Sequence, residues 1–335
     1  MYILSLDIGG TKIESNLVFF SKDNRETPCL ASYPLQKKET LFLLNKKRIQ
    51  TQREKGLKHI TKNILNLVKE TISSSKIELH NLAAISLSLP GPISYSKGTL
   101  PVSNTRALEN TDFISQLQQE LNQTPLFYEN DGNCFAFAEH WLGLGPEISK
   151  KIQLPLEKIS SFGLILGTGV GGGAIINGKI HQGVHGGAGE VGHFSLNPSG
   201  ALCFCGQRGC AELYLSGPGL KRTYHENQNG NMETKPESIF KKAQNDECES
   251  SVQSLKEYSK YLEILLENIM LFFDPHFIVI GGGLSNQNYI YKNFNPGVEH
   301  PFIKNSFSPV AKHRISDAAG GLGAALLAYE KIKRA

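Results

Sequence analysis

Two glycine-rich turns, each set between two β-prone segments, constrain the fold of this chain more than any other feature. The first turn occupies residues 7–12, with the apolar run 2–6 before it and the β-prone segment 13–20 after it. The second occupies residues 167–173, directly after the strand-like segment 162–166. Both patterns predict hairpins, whereas Walker and Rossmann loops run from a strand into a helix, and neither of those motifs is present. Helical spacing of apolar residues elsewhere completes the pattern of an α/β fold.

The composition is that of an ordinary globular enzyme, with 335 residues of which 40% are hydrophobic and 20% are charged. The formal net charge of +4 at pH 7 is small for this length and gives no reason to expect a nucleic-acid partner. No segment approaches the roughly 20 apolar residues of a membrane span, and the first residues do not resemble a signal peptide. We therefore expect a cytoplasmic protein with no membrane partner and no nucleic-acid partner.

The order of the segments predicts two lobes. We expect a small N-terminal lobe of residues 1–118 together with the apolar C-terminal helix, residues 318–335, and a large lobe of residues 119–317. The segment 36–58 is rich in Lys and Arg and could be a nucleic-acid or membrane patch. A solvated helix face or a mobile loop is the plainer interpretation, and we assign no function to this segment.

The glycine turns have the composition of phosphate-binding loops. Glycine lets main-chain N–H groups approach phosphate oxygens, and Thr11 and Thr168 can add hydroxyl donors. Lys12 could supply positive charge, and Asp7 could hold Mg²⁺ directly or through water. Each turn alone could be an ordinary tight turn, but a third cluster at residues 281–283 weakens that alternative. The candidate nucleotide-binding residues are Asp7, Gly9, Gly10, Thr11, Lys12, Gly167, Thr168, Gly169, Val170, Gly282 and Gly283.

Two strand ends carry candidate ligand-binding residues. Asp131 lies between the short β-prone segment 126–128 and the helical residues 134–142. A hydroxyl group that attacks a phosphate must lose its proton, and a carboxylate within hydrogen-bond reach can take it. The same position is common for a helix N-cap, so the motif alone leaves both roles open. Gly91 lies between two prolines after another predicted strand, where ligand-binding loops of α/β sheets are often found.

A histidine and three cysteines have the spacing of a metal site. His193 is followed by Cys203, Cys205 and Cys210, in the pattern H-x9-C-x-C-x4-C. Three thiolates and one imidazole fill a tetrahedral zinc shell and leave no open position, so the zinc is expected to be structural. The alternative is a set of buried free thiols beside an unrelated histidine. The clustering of three of the six cysteines favours a metal site over a disulfide framework.

Two carboxylates flank the predicted metal site. Glu190 precedes His193 by three residues, and Glu212 follows Cys210 by two. A metal that fixes its ligands would also fix these acids near one another. Acceptors of this kind suit sugar hydroxyls in a dry pocket, although both residues could also be surface acids.

Together these residues resemble the ROK family of bacterial sugar kinases and related repressors. The matching motifs occur in family order along nearly the whole chain, and the cysteine motif with the preceding GEVGH is highly specific. They are DIGGTK (7–12), ENDGNCFA (129–136), LILGTGVGGG (164–173), GAGEVGH (187–193), CFCGQRGCAE (203–212), YLSGPG (214–219) and VIGGGLS (279–285). One departure is Gly132, where the family usually has alanine.

The resemblance implies a ribonuclease H-like fold of the actin/hexokinase ATPase type, with two lobes around a central cleft that binds ATP. Asp131 would be the catalytic base. The large lobe would carry the zinc site and a homodimer surface. The implied sugar-binding residues are Gly91, Asn104, Asn130, Asp131, Glu190, His193 and Glu212, of which His193 would also bind zinc.

The resemblance extends to the substrate, which would be a hexose phosphorylated on its 6-hydroxyl group. The segments 207–217 and 274–286 look most like the N-acetyl-D-glucosamine kinase branch. The turn 103–105 also resembles fructo(manno)kinases and glucokinases, so glucose, fructose and mannose stay open as alternatives.

Two functions of other classes compete with a kinase. A ROK-type repressor carries a helix-turn-helix domain before the DIGGT segment, and here the first strand begins at residue 2. A zinc-stabilised sugar-binding protein without turnover would not need Asp131. Both therefore rank behind a kinase.

Overall fold

The computed structural model describes residues 1–22, 28–35, 39–121, 124–228, 234–294, 297–300, 303–315 and 318–334. These ranges contain both strands and helices. The strands are β1 Tyr2–Ile8, β2 Lys12–Ser21, β3 Ala31–Pro34, β4 Thr40–Gln50, β5 Leu82–Leu89, β6 Leu126–Asn130, β7 Ser161–Leu166, β8 Val170–Ile176, β9 Lys179–Ile180, β10 Phe277–Gly281, β11 Gly297–His300 and β12 Ile303–Lys312. The helices are α1 Leu57–Ser74, α2 Phe113–Glu120, α3 Asp131–Trp141, α4 Leu144–Ile152, α5 Glu212–Leu215, α6 Gly217–Gln228, α7 Pro236–Gln244, α8 Glu249–Phe273 and α9 Ala319–Arg334.

The strands form two mixed sheets that repeat one arrangement. The first sheet has the order β3-β4-β2-β1-β5-β6 and the second the order β11-β12-β10-β7-β8-β9. In the first, the hairpin β1–β2 is antiparallel, and β5 and β6 continue it in parallel. In the second, the hairpin β7–β8 is followed in the same way by β10 and β12. Both predicted glycine hairpins and the predicted α/β class are confirmed.

The helix stripes expected from the sequence face the cores. Helix α1 buries Ile60, Ile64 and Leu67 with the rest of its apolar face, in one cluster with the side chains of the first sheet. Helix α8 buries Leu262 and Leu265 in the same way against the second sheet. Such a stripe at a period of 3.6 residues is removed from water only when the helix lies on a sheet or another helix.

The long helix α8 ends directly before an Asp-Pro pair. Its C-cap residue, Asp274, has a left-handed backbone with φ of 48° and ψ of 60°. Pro275 follows and cannot continue a helix, because it lacks an N–H group and restricts the residue before it. The chain then enters β10, which leads to the third glycine cluster.

The chain divides into two compact units. The first contains Met1–Pro146, Ile180–Ala188 and Ile315–Ala335, and the second contains Glu147–Lys179 and Gly189–Arg314. The boundary predicted near residue 118 falls inside the first unit, because β6 pairs with β5 and α3 packs against α9. The C-terminal helix α9 belongs to the first unit as well.

The basic segment 36–58 differs from its interpretation as a helix face or loop. Residues 36–38 lie outside the described residues, but β4 occupies most of the remainder and pairs with β2 along its length. The side chains of Lys46 and Arg48 form ion pairs with Glu14, at 3.0 and 2.6 Å, and Glu14 is only 2% exposed. These charges therefore belong to a strand that neutralises a buried acid.

A helix that crosses a bilayer is about 20 residues long and predominantly apolar. None of the helices in these ranges combines the necessary length with a sufficiently apolar sequence.

Candidate active site

The turn between β1 and β2 is held by a residue beyond the end of β4. The N–H of Gly9 donates to the carbonyl of Lys12 at 2.9 Å, which closes the turn. Thr51 contacts both sides of it, with its hydroxyl donating to Gly9 O at 2.6 Å and its N–H donating to Thr11 O at 2.9 Å. The shape of this turn is thus fixed by the strand next to the hairpin.

Asp7 lies beside this turn, near the end of β1. Its Oδ1 accepts a hydrogen bond from the Ser88 hydroxyl at 2.7 Å. Gly320, at the start of α9, lies so close that a Cβ there would be 2.9 Å from both carboxylate oxygens. Burial raises the pKa of Asp7, and the nearby Glu14 carboxylate adds to this effect. A carboxylate confined in this way suits a hard cation such as Mg²⁺, which would offset the cost of its burial.

The sequence left two roles open for Asp131, proton acceptor and helix cap. The junction of β6 and α3 shows which residue takes the cap role. Asn130 is the N-cap of α3, since its Oδ1 accepts from the N–H of Asn133 at 3.1 Å. Asp131 is the first helical residue, and its Oδ1 accepts from Gly132 N at 2.9 Å and from Asn130 Nδ2 at 3.0 Å. Because Asn130 caps the helix, the carboxylate of Asp131 is not required for capping.

A fully buried carboxylate supports this junction, and sequence reasoning did not identify it. Glu129 is 0% exposed and accepts hydrogen bonds from the hydroxyl of Tyr95, from Asn130 N and from Asn133 Nδ2. Its second oxygen accepts from Gln182 Nε2 at 2.5 Å. A buried acidic side chain is tolerated when hydrogen-bond donors surround it in this way, and the network fixes the backbone directly before Asp131. Burial and this carboxylate raise the pKa of Tyr95 well above its ordinary value.

Gly91 and Asn104 lie in adjoining loops near the same junction. The carbonyl of Gly91 accepts from Asn130 Nδ2 at 3.0 Å. Gly91 has φ of 111°, and a Cβ there would be 2.4 Å from the carbonyl oxygen of Val102, so only glycine fits. Asn104 follows in this second loop with its side chain exposed, and its carbonyl accepts from Arg53 Nη1 at 2.8 Å. The first unit thus groups Gly91, Asn130 and Asp131.

The second unit places its two glycine turns on one cavity. Gly282 has φ of 82°, and a Cβ there would be 2.4 Å from Leu166 O, so the turn after β10 lies directly on the end of β7. A cavity of about 420 Å³ opens beside these turns. It is lined by Gly167, Thr168, Gly217, Pro218, Lys221, Pro236, Glu237, Gly283 and Leu284. The sequence predicted the glycine turns but not the contributions of α6 and α7, which approach only in the folded chain.

Glu190 and Glu212 are close in the second unit, as the sequence predicted. Burial raises the pKa of Glu190, and the negative charge of Glu212 raises it further. Glu212 Oε2 accepts a hydrogen bond from the N–H of Val170 at 3.1 Å, which ties this acid to the start of β8. Gly192 packs on the same strand, because a Cβ there would be 2.0 Å from Val170 O. Two acceptors are therefore held together at one end of β8.

The predicted metal ligands converge. The ligand atoms of His193, Cys203, Cys205 and Cys210 all lie within 4.8 Å of one another. Cys203 Sγ is 3.8 Å from His193 Nδ1, and Cys205 Sγ is 3.6 Å from Cys210 Sγ. A tetrahedral shell with Zn–S bonds of about 2.3 Å spaces its ligand atoms about 3.7 Å apart. The four residues therefore fit a zinc ion in both chemistry and spacing.

The candidate ligand-binding and metal-binding residues predicted from the sequence fall into two groups, one in each unit. The first unit contains Asp7, Gly9, Gly10, Thr11, Lys12, Gly91, Asn104, Asn130 and Asp131. The second unit contains Gly167, Thr168, Gly169, Val170, Glu190, His193, Cys203, Cys205, Cys210, Glu212, Gly282 and Gly283.

Comparison with known proteins gives consistent results. The model of the ROK family matches residues 36–331. The N-acetyl-D-glucosamine kinase of Haemophilus influenzae is 31% identical over 97% of this chain and 99% of its own. The N-acetyl-D-glucosamine kinase of Histophilus somni is 30% identical over 96% of this chain and 97% of its own. The crystal structure of a ROK hexokinase from Thermus thermophilus covers 100% of both chains with a TM-score of 0.75 and 26% identity. This similarity confirms the predicted actin/hexokinase type of fold.

Proposed function

The chain belongs to the ROK family and is an ATP-dependent sugar kinase, and we propose that it phosphorylates the 6-hydroxyl group of N-acetyl-D-glucosamine with Asp131 as general base. The observation that carries this proposal is the position of Asp131 as the first residue of α3, with the cap role taken by Asn130. The names of the relatives, N-acetyl-D-glucosamine kinase, support the choice of sugar.

ATP would be held by the glycine turns and the cavity of the second unit. The cavity is open, is lined largely by glycine and proline, and has Lys221 and Glu237 as charged groups, which suits the nucleoside part of ATP. Main-chain N–H groups of the turns would meet the phosphate oxygens. Asp7 would hold Mg²⁺, which neutralises phosphate charge when bound.

The transfer itself requires alignment, charge neutralisation and one proton acceptor. The proton of the sugar hydroxyl passes to a carboxylate oxygen of Asp131. The hydroxyl oxygen bonds to the γ-phosphorus, the bond from that phosphorus to the bridging oxygen breaks, and ADP leaves with the electron pair. The hydrogen bonds from Gly132 and Asn130 to Oδ1 hold the Asp131 side chain in one orientation for this step.

The sugar would be oriented by hydrogen-bond acceptors and amides of the candidate residues. Glu190 and Glu212 would accept hydrogen bonds from its hydroxyl groups, and Asn104 and Asn130 would donate to it. His193 would contact the sugar while its Nδ1 faces the cysteine cluster. A structural zinc on His193 and the three cysteines would keep this segment in place. We further propose a cytoplasmic homodimer, as the family resemblance implies.

The sugar specificity is tested by an ADP-release assay with five hexoses. N-acetylglucosamine, N-acetylmannosamine, glucose, mannose and fructose are compared at saturating ATP. We expect N-acetylglucosamine to give the highest kcat/KM, by roughly 10-fold or more over glucose, because a site built to bond a polar group discriminates against a sugar that lacks it.

A higher kcat/KM for glucose, mannose or fructose would replace the proposed substrate with one of the family alternatives. ADP release that no sugar stimulates would contradict the kinase assignment itself. An assay with Asp131→Asn serves as the background, because ATP hydrolysis by a contaminant would persist in that variant.

A further inference from the structure

The side chain of Arg53 lies against the glycine turn between β1 and β2 in the first unit. We propose that Arg53 binds the terminal phosphate of ATP and at the same time holds the Asn104 loop next to that phosphate. This inference rests on the proposed function, since it requires ATP at the β1–β2 turn.

The position of Arg53 is fixed by its neighbour Thr51. Thr51 makes two hydrogen bonds to the turn, through its hydroxyl and its N–H. Arg53 follows two residues later, as the first residue of the short 3₁₀ helix Arg53–Lys55. The hydrogen bonds of Thr51 therefore place Arg53 beside the turn.

The guanidinium group of Arg53 covers the open side of Gly10. A Cβ at residue 10 would lie 3.1 Å from Arg53 Nη1, so the missing side chain of Gly10 makes room for the guanidinium. The same Nη1 donates to the carbonyl of Asn104 at 2.8 Å. Arg53 thus connects the turn that would bind phosphate with the loop that would bind sugar.

Most of the hydrogen-bonding capacity of Arg53 is unused. Guanidinium has five N–H donors in a planar fork, and within the described part of the chain Arg53 bonds only to the Asn104 carbonyl. Its side chain is exposed, so the remaining donors are accessible to a ligand. Arginine forks match the paired oxygens of a phosphate group, and such charge-assisted bonds are stronger than neutral ones.

The chemistry of phosphoryl transfer explains why a cation belongs here. Negative charge spreads over the oxygens of the transferred phosphate, and fixed positive groups stabilise that charge. Because the arginine also holds Asn104 by its carbonyl, binding of the terminal phosphate would order the sugar loop. Arg53 would then be a catalytic residue through its contact with the phosphate.

The test compares two substitutions of Arg53 with a matched control. Arg53→Met removes the charge and keeps most of the aliphatic stem, whereas Arg53→Lys keeps the charge and removes the fork. Lys55→Met removes one positive charge from the same 3₁₀ helix, where Lys55 bonds Gln52 rather than the turn. Calorimetry measures the binding of ATP, ADP and adenosine, and initial rates give kcat and KM for ATP and for the sugar.

We expect Arg53→Met to weaken ATP binding by about 10- to 100-fold, as loss of a charge-assisted hydrogen bond does, and to leave adenosine binding unchanged. The value of kcat should fall by about 10²-fold, in the range found when one group that stabilises transition-state charge is removed. Arg53→Lys should lie between Arg53→Met and the wild type, and Lys55→Met should stay within about 3-fold of the wild type, as surface substitutions do.

Equal ATP affinities for Arg53→Met and Lys55→Met would overturn the inference. Equal loss of ATP and adenosine binding would also overturn it, since that result indicates a structural role. A wild-type chain that binds ATP but phosphorylates no hexose would refute the proposed function, while the ATP and adenosine comparison would still decide the role of Arg53. A wild-type chain that binds no ATP would refute both.

Discussion

At the scale of single residues, this protein keeps carboxylates where burial makes their charged form costly. Burial raises the pKa of both Asp7 and Glu190, and in each case a second acid adds to the effect. Such positions are stable only because other groups compensate, and strongly perturbed acids are concentrated at functional sites. We therefore expect both residues to lower folding stability, and this cost can be measured.

Glu190→Gln should stabilise the fold and weaken sugar binding. The pKa of Glu190 is higher in the folded chain than in the unfolded one, so folding favours the protonated form and is penalised as pH rises through the folded pKa. At pH 7 to 8 the uncharged glutamine avoids that penalty and Tm should rise. Below the ordinary pKa of about 4.5 the difference should vanish, because both states are protonated. KM for the sugar should rise at least about 10-fold at neutral pH, since a charged acceptor is lost.

The control for this experiment is Glu263→Gln, at an exposed position of α8. It removes the same charge from the same unit and should change neither Tm nor KM. The stated effect of burial on this acid would be contradicted if the Tm of Glu190→Gln were lower than that of the wild type at pH 8 and were still lower at pH 4.

The role of Glu129 in the candidate site could not be recognised from the sequence. Glu129 was visible only as part of a motif, because its partners Tyr95 and Gln182 are 34 and 53 residues away along the chain. Its importance depends on burial, which only the folded chain supplies. Asp131, by contrast, was a candidate because of its place between a strand and a helix, which left both catalysis and capping open, and the fold added that Asn130 takes the cap role.

At the scale of elements, local patterns predicted the hairpins and the long helices, and failed where a partner decides the structure. The strand β4 contains Lys46 and Arg48, which are unfavourable in a strand unless something neutralises them. The neutralising group is Glu14 on the neighbouring strand β2. Glu14 and the two basic residues lie far apart in the sequence. The sequence around the basic residues therefore indicated a loop or a solvated helix.

The segment that contains the cysteines should depend on zinc. Removal of the metal with a chelator, or Cys205→Ser, should unfold residues 190–215 and raise KM for the sugar, because a closed tetrahedral site supplies folding energy directly. Elemental analysis should give one zinc per chain in the wild type, and hydrogen exchange should show faster exchange in this segment after zinc is lost.

Cys29→Ser is the matched control, since Cys29 is an exposed free cysteine outside the metal cluster. It should retain zinc, protection from exchange and KM. An unchanged KM for the sugar in a zinc-free preparation would contradict a role of zinc in sugar binding.

At the scale of the whole molecule, the two units share one sheet arrangement and contain different candidate site residues. Each has a glycine hairpin continued by parallel strands, and ligand-binding loops of such sheets lie at the carboxyl ends of the strands. The first unit contains the proposed base, and the second contains the cavity proposed for ATP and the four candidate zinc ligands. This repeated pattern was readable from sequence because each hairpin is local, whereas the unit boundaries were not, because they depend on which strands pair.

The central claim is that Asp131 removes the hydroxyl proton during phosphate transfer from ATP to a hexose. It is tested most directly by measuring phosphate transfer to N-acetylglucosamine in a single turnover, with the wild type and with Asp131→Asn, alongside calorimetric sugar binding. We predict a rate about 10²- to 10⁴-fold lower in Asp131→Asn, the range for loss of a positioned base, with sugar affinity nearly unchanged. An unchanged transfer rate in Asp131→Asn would contradict the account.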